Sequence, residues 1–111
     1  MFIAERVLNA ELPDGTKQVT IGIYAPRNAD GMNICEYMIE WPEGERKSYA
    51  AGVDLVQALH LALQKIGLEI YASAYHKSGI LCWEKPGQGY GFPIPKNGRD
   101  LLVGEDKIFE G

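Results

Sequence analysis

The stretch that most constrains the fold is residues 52–75, the longest segment of this chain with a helical period. At 100° per residue its apolar side chains fall within one broad arc, and Gln57, His60 and Gln64 lie opposite. The apolar arc consists of Leu55, Val56, Ala58, Leu59, Ala62, Leu63, Ile66 and Ile70. The pattern predicts a helix with one buried face and one face in water.

Sequence signals near both ends bound this helix. Asp54 and Gln57 have the spacing of a capping box, in which the carboxylate accepts from the Gln57 amide and the Gln57 side chain bonds the Asp54 amide. Gly67 costs about 1 kcal/mol in a helix interior relative to alanine, so the helix could instead end there and leave a strand over residues 68–73. Because Ile70 keeps the period, we expect the helix to continue through Gly67 to about Tyr75.

The residues before the helix have the pattern of strands. Apolar and polar residues alternate over residues 18–24 and again over 35–41, which predicts two strands with one buried face each. A partly exposed strand over residues 2–8 and a short strand over residues 46–50 complete a set of four. Proline and glycine at residues 13–15 supply the first turn.

Polar residues indicate the connections and the wet face of this sheet. Residues 26–31 form a polar connection that is long for a tight hairpin, so we expect a mobile tip. Arg46 and Lys47 are expected to face the carboxylates of Glu40 and Glu36 on the solvent side.

After the helix, residues 80–84 are apolar and predict a short strand. The segment 85–99 is too rich in glycine and proline for a helix or a central strand, and predicts an irregular loop. Its apolar side chains Tyr90, Phe92 and Ile94 are expected to pin the loop against the sheet or the helix. The apolar residues at 101–103 and 108–109 either return to the core or fray.

These segments predict one α+β domain over residues 1–111. It consists of an antiparallel meander of four strands, one long helix packed on the sheet and a final strand, in the order ββββαβ. The position of the last strand in the sheet is left open. A chain of 111 residues that is 46% hydrophobic and 23% charged is the size of one domain with one core.

Composition restricts the partners and the location. A net charge of −4 with no cluster of lysine or arginine argues against nucleic-acid binding. No apolar run approaches the roughly 18 residues of a membrane span, and Glu5 and Arg6 interrupt any signal core, so we expect a cytoplasmic protein. Cys35 and Cys82 are far apart in sequence and are expected to remain free thiols.

Three kinds of chemical site are partly represented. Residues 87–91 are glycine-rich, but no helix is predicted after them to complete a phosphate-binding loop. Cys35, Cys82, His60 and His76 lack the local spacing of a zinc site. A Cys82 thiol activated by His76 would be a nucleophile, although an apolar strand more often holds a core thiol. We therefore expect no catalytic residue, no metal and no cofactor.

Aromatic side chains near the end of the chain favour binding instead. Tyr90, Phe92, Trp83 and Tyr75, together with His76, offer large contact surfaces of the type that dominates interfaces. The alternative is that several of these rings complete a small core.

One block of sequence carries a resemblance to a known family. It runs from Ala51 through the start of the helix and includes residues 80–83 and 91–93. In these motifs the chain resembles a family of small bacterial domains with no assigned function, over about residues 20–95, and the resemblance implies no catalytic residues. By analogy with small acidic bacterial domains that serve as immunity or accessory proteins, we expect a non-enzymatic module that binds a protein partner or a second copy. A small enzyme or ligand-binding protein, with its site near residues 85–99, is the alternative.

Overall fold

The computed structural model describes residues 1–85 and 87–95. Five strands come first, followed by two helices and a short last strand. They are β1 (Ala4–Leu12), β2 (Gly15–Ile23), β3 (Arg27–Ala29), β4 (Met32–Trp41), β5 (Gly44–Gly52), α1 (Leu55–Ala72), α2 (Ala74–Lys77) and β6 (Leu81–Cys82). The α+β arrangement predicted from the sequence, with one long helix packed on an antiparallel sheet, is confirmed.

The strands form one antiparallel sheet. β5 pairs with nearly the whole of β4, whose other edge pairs with β3 near its start and with β2 near its end. β1 lies between β2 and β6. The last strand therefore extends the sheet beyond β1, where it pairs with Asn9 and Ala10.

The prediction that residues 26–31 form one long polar connection is wrong. Residues Arg27–Ala29 form β3, which returns directly into β4. The turn residues Asp30 and Gly31 have φ of 50° and 85°. Two left-handed residues are what a two-residue type I′ hairpin requires, and Asp-Gly is a preferred pair for it. The side chain of Asn28 also accepts a hydrogen bond from the Gly31 amide at 3.2 Å.

One face of the sheet packs against α1, and the register aligns the predicted apolar positions on that face. Ile39 lies opposite Ile21, and Tyr37 lies opposite Ile23. The alternation predicted for these strands is confirmed, because their inward side chains are buried. The core is completed by the helix residues Ala58, Ala62, Ile66 and Ile70. Leu55 and Val56, which the helical period placed on the buried face, are exposed instead.

The ends of α1 follow local hydrogen bonding. Asp54 Oδ1 accepts from the Gln57 amide at 2.7 Å, which confirms the cap, while Gln57 Oε1 accepts from the amide of Val53 rather than that of Asp54. The helix passes through Gly67, as predicted, and ends at Ala72. Ser73 then caps α2 by accepting from the His76 amide at 3.1 Å. Within the described residues, no helix is long and apolar enough to span a membrane.

The predicted charge pairs on the solvent face are half correct. Lys47 Nζ lies 3.8 Å from a carboxylate oxygen of Glu36. Arg46 lies opposite Ile39, so its side chain is on the helix side, where it pairs with Glu69 of α1. Glu69 also accepts from the hydroxyl of Tyr37. Consecutive residues of a strand point to opposite faces, so only one of Arg46 and Lys47 can face the carboxylates on the solvent side, and the register of β5 on β4 decides which one.

The loop after β6 packs against α1 where the helix contains Gly67. Tyr90, Phe92 and Ile94 are buried, so the prediction that they pin the loop is confirmed. A Cβ atom at Gly67 would lie 2.6 Å from Ile94 Cδ1 and 3.1 Å from the Pro93 carbonyl oxygen. Glycine at residue 67 thus allows the loop after β6 to approach α1 closely. The predictions for residues 96–99, 101–103 and 108–109 lie outside the described residues.

We predict that Gly67→Ala lowers the free energy of unfolding, although alanine favours a helix by about 1 kcal/mol. The added methyl would overlap Ile94 Cδ1. Ile94→Val removes that atom at a cost of about 0.5–1.5 kcal/mol, so the alanine should be much less harmful, or favourable, in the Ile94→Val background. Urea unfolding of the wild type, the Gly67→Ala and Ile94→Val variants and the double variant measures both effects. An identical change in the two backgrounds would exclude this steric explanation.

Candidate functional site

Three aromatic rings meet where α1, α2 and the loop after β6 come together. Tyr71, His76 and Tyr90 contact one another edge to face, with ring centroids 4.7 to 5.5 Å apart. His76 Nδ1 lies 2.6 Å from the Tyr90 hydroxyl oxygen, and that hydroxyl donates to the Leu81 carbonyl at 3.3 Å. Burial lowers the pKa of His76. The imidazole is therefore neutral at neutral pH and held in one orientation.

A cavity of about 290 Å³ lies beside this cluster, between α2, β6 and the following loop. We call it the β6 cavity. It is lined by Glu11, His76, Gly79, Ile80, Leu81, Cys82, Lys85, Gly87, Gly89 and Tyr90. The walls are mainly apolar side chains and backbone, and the exposed side chains of Glu11 and Lys85 add one charge of each sign.

Local backbone structure places these two charges. The Glu11 amide donates to the Ile80 carbonyl at 2.9 Å, which joins β1 to the residue before β6. A tight turn follows β6, in which the Lys85 amide donates to the Trp83 carbonyl at 2.6 Å. Glu84, which lies between Trp83 and Lys85 in the chain, has a φ of 59°, a conformation that non-glycine residues rarely adopt. The turn directs the chain back so that Lys85 lines the cavity.

The structure brings together two of the four residues considered for metal binding or catalysis. His76 and Cys82 line the same cavity, whereas Cys35 is buried in the core and His60 is exposed on α1. In the described part of the chain, no three His, Cys, Asp or Glu side chains are grouped to hold a metal ion. Burial raises the pKa of the Cys35 thiol, as expected for a core cysteine. Both cysteines are free thiols.

Arg6 organises the aromatic side chains that the sequence suggested for binding. Its guanidinium lies 4.1 Å from the centroid of the Trp83 ring and 4.9 Å from that of Phe92, and Nη1 donates to the Tyr90 carbonyl at 3.1 Å. A Cβ atom at Gly91 would lie 2.6 Å from Trp83 Cζ3. No sequence pattern indicates this role, because Arg6 lies on a strand that the sequence predicts to be partly exposed.

The five residues suggested for binding therefore occupy different environments. Tyr90 and Phe92 are only 4% and 7% exposed, in agreement with the alternative that these rings complete the core. Trp83 is half-buried against Arg6, and His76 is half-buried in the ring cluster. Tyr75 stacks on Trp41 with centroids 5.3 Å apart and donates to Glu43. Only His76 and Tyr90 line the β6 cavity.

A second concave region lies at the other end of α1. This groove is wide, with a volume of about 610 Å³. It is lined by Gly31, Met32, Asn33, Ala51, Gly52, Val53 and Gln57. Met32 and Val53 are 49% and 83% exposed, and the neighbouring Leu55 and Val56 are 41% and 77% exposed. Together these residues form what we call the apolar groove. The helical period of the sequence does not reveal that Leu55 and Val56 are exposed.

A family model described as a domain of unknown function (DUF6968) matches residues 4–94. The chain belongs to this family. The matched residues begin earlier in the chain than the stretch in which the sequence resembles a known family. They run from β1 to Ile94 and include both the β6 cavity and the apolar groove. No curated protein and no solved structure matches the chain.

We predict that Phe92→Ala destabilises the DUF6968 domain by about 3–5 kcal/mol, because the ring is buried and packs on the Arg6 guanidinium. Ile3→Ala, at an exposed apolar position, serves as the control and should change stability by less than about 1 kcal/mol. Urea unfolding measures both. If the two variants unfold alike, the loop is not part of the core.

His76 should make stability depend on pH. Its pKa is lowered from 6.5 in the folded state, so the unfolded chain takes up the proton first as the pH falls. The free energy of unfolding should be constant above about pH 7 and should decrease as the pH drops below about 6.5. His76→Gln should flatten this slope in urea unfolding between about pH 7.5 and 5.5, and the exposed control His60→Gln should retain it. A wild-type slope in His76→Gln would contradict the assignment.

Proposed function

We propose that the DUF6968 domain is a non-enzymatic accessory module that binds a partner protein through the apolar groove. The observation that carries the proposal is the grouping of exposed apolar side chains at the start of α1, where Val53 and Val56 are the most exposed. Single exposed apolar residues are common, but a group beside an open groove is typical of an interaction site. A wide groove suits a protein surface better than a small molecule.

Charge around the apolar groove suggests the chemistry of the partner. The described residues that line the groove carry no charge, while Asp30 and Asp54 flank it in sequence. Asp54 is fixed by its capping hydrogen bond to Gln57. With a net charge of −4, the domain should attract a partner that presents an apolar side chain between basic residues. Its free thiols suit work in the reducing cytoplasm.

A small enzyme is the second candidate function, because Cys82 and His76 line the same cavity. In that case His76 would use Nε2 as the base, since Nδ1 is engaged by Tyr90. A screen of generic phosphatase, esterase and nuclease substrates tests this reading. Activity that disappears in Cys82→Ala or His76→Ala would replace the accessory function.

The groove is tested by exchanging Val56 for a charge of either sign. Both Val56→Asp and Val56→Lys should weaken partner binding, and lysine should weaken it more because it repels a basic partner. Partners are recovered from the source cells with tagged wild type, then purified and titrated by calorimetry against each variant. We expect at least about a tenfold loss of affinity for Val56→Lys, and weaker wild-type binding at high salt.

Ile3→Lys is the matched control, since Ile3 is 57% exposed and does not line the groove. Thermal melts verify that each variant folds. Equal losses for Val56→Lys and Ile3→Lys would contradict the groove as the docking site. A second copy of the chain is the other partner we propose; light scattering of the purified protein over a concentration series identifies it, and a homodimer unaffected by Val56→Lys would move the interface elsewhere.

A further inference from the structure

The β6 cavity presents two opposite charges that do not pair with each other. Glu11 and Lys85 both line it, yet within residues 1–85 and 87–95 no ion pair joins them. His76 adds no charge at neutral pH because burial lowers its pKa. The cavity therefore offers one carboxylate and one ammonium to a bound molecule, with no net charge. This arrangement favours a ligand that carries both charges itself.

We propose that the β6 cavity binds a small zwitterion, a free amino acid, whose carboxylate pairs with Lys85 and whose ammonium group pairs with Glu11. A ligand with a single charge would pair with only one of the two protein charges, whereas a zwitterion pairs with both. The site is independent of the apolar groove and does not require the proposed accessory function.

The size and lining of the cavity agree with an amino acid. Its volume of about 290 Å³ lies at the lower limit of known small-molecule pockets, so only a small metabolite fits. Ile80, Leu81 and Tyr90 provide apolar contacts for a side chain. The polar atoms of the wall are arranged in advance: the Tyr90 hydroxyl is held between His76 and the Leu81 carbonyl.

The backbone that carries the two charged side chains is also positioned before a ligand arrives. Glu11 Oε2 accepts a hydrogen bond from Thr16 Oγ1 at 2.8 Å, which orients the carboxylate. The tight turn at Glu84 fixes the backbone from which the Lys85 side chain extends. The Glu11 carboxylate therefore loses little conformational entropy on binding, whereas the exposed Lys85 side chain becomes ordered when it pairs with a ligand.

The probes are the twenty free L-amino acids. Each is added to the full chain at about 10 mM, a concentration high enough to detect weak binding of a metabolite, and heteronuclear NMR records the amide signals. At least one should shift amide signals of residues that line the cavity. The same amino acid with its amine acetylated, or with its carboxylate amidated, should bind about tenfold or more weakly. If no amino acid shifts these signals, or if both blocked forms bind as well as the parent, the proposal is overturned.

Matched variants assign each charge to its partner. In Lys85→Met, amidation of the ligand carboxylate should no longer weaken binding, and in Glu11→Gln, acetylation of the amine should no longer weaken it. Lys77→Met and Glu5→Gln remove exposed charges that do not line the cavity and should behave as wild type. Equal losses in Lys85→Met and Lys77→Met would overturn the assignment. Val56→Lys should leave amino-acid binding unchanged, which separates this site from the apolar groove.

Discussion

The contact of the Arg6 guanidinium with the rings of Trp83 and Phe92 joins the loop after β6 to the sheet. Arg6 lies on the same face of β1 as the buried Leu8, where an uncompensated guanidinium would be costly. The two rings and the Tyr90 carbonyl compensate it, and they come from the loop. These contacts stabilise the guanidinium beside the core, and they hold the loop where Tyr90 can reach His76.

α1 connects the two concave regions and keeps them apart. Its 18 residues span about 27 Å, with the apolar groove at its first turn and the β6 cavity beyond its last. The buried middle of the helix fixes its position on β4 and β5, and Glu69 adds bonds to Tyr37 and Arg46. Because the helix separates them, the two regions have no lining residue in common.

The sequence predicted what depends on local periodicity and missed what depends on register and distant contacts. Strand alternation and the Asp54 cap involve neighbouring residues, so both were readable. The Asp30-Gly31 turn was also local, but its preference for a two-residue hairpin was overlooked. Which of Arg46 and Lys47 faces the helix depends on the register of β5 on β4, which no single strand reveals. The contact of Arg6 with Trp83 joins residues far apart in the chain, and no pattern within one segment reveals it.

The packing of the loop also determines how the β6 cavity can select a ligand. Close approach at Gly67 and at Gly91 places Phe92 and Ile94 in the core, so the part of the loop that follows Tyr90 cannot open without exposing them. Tyr90 is buried with them and forms one wall. A cavity with such a wall does not reshape itself around different molecules. The selectivity of the proposed amino-acid site must come from volume and from the charges of Glu11 and Lys85, which are an exposed part of its lining.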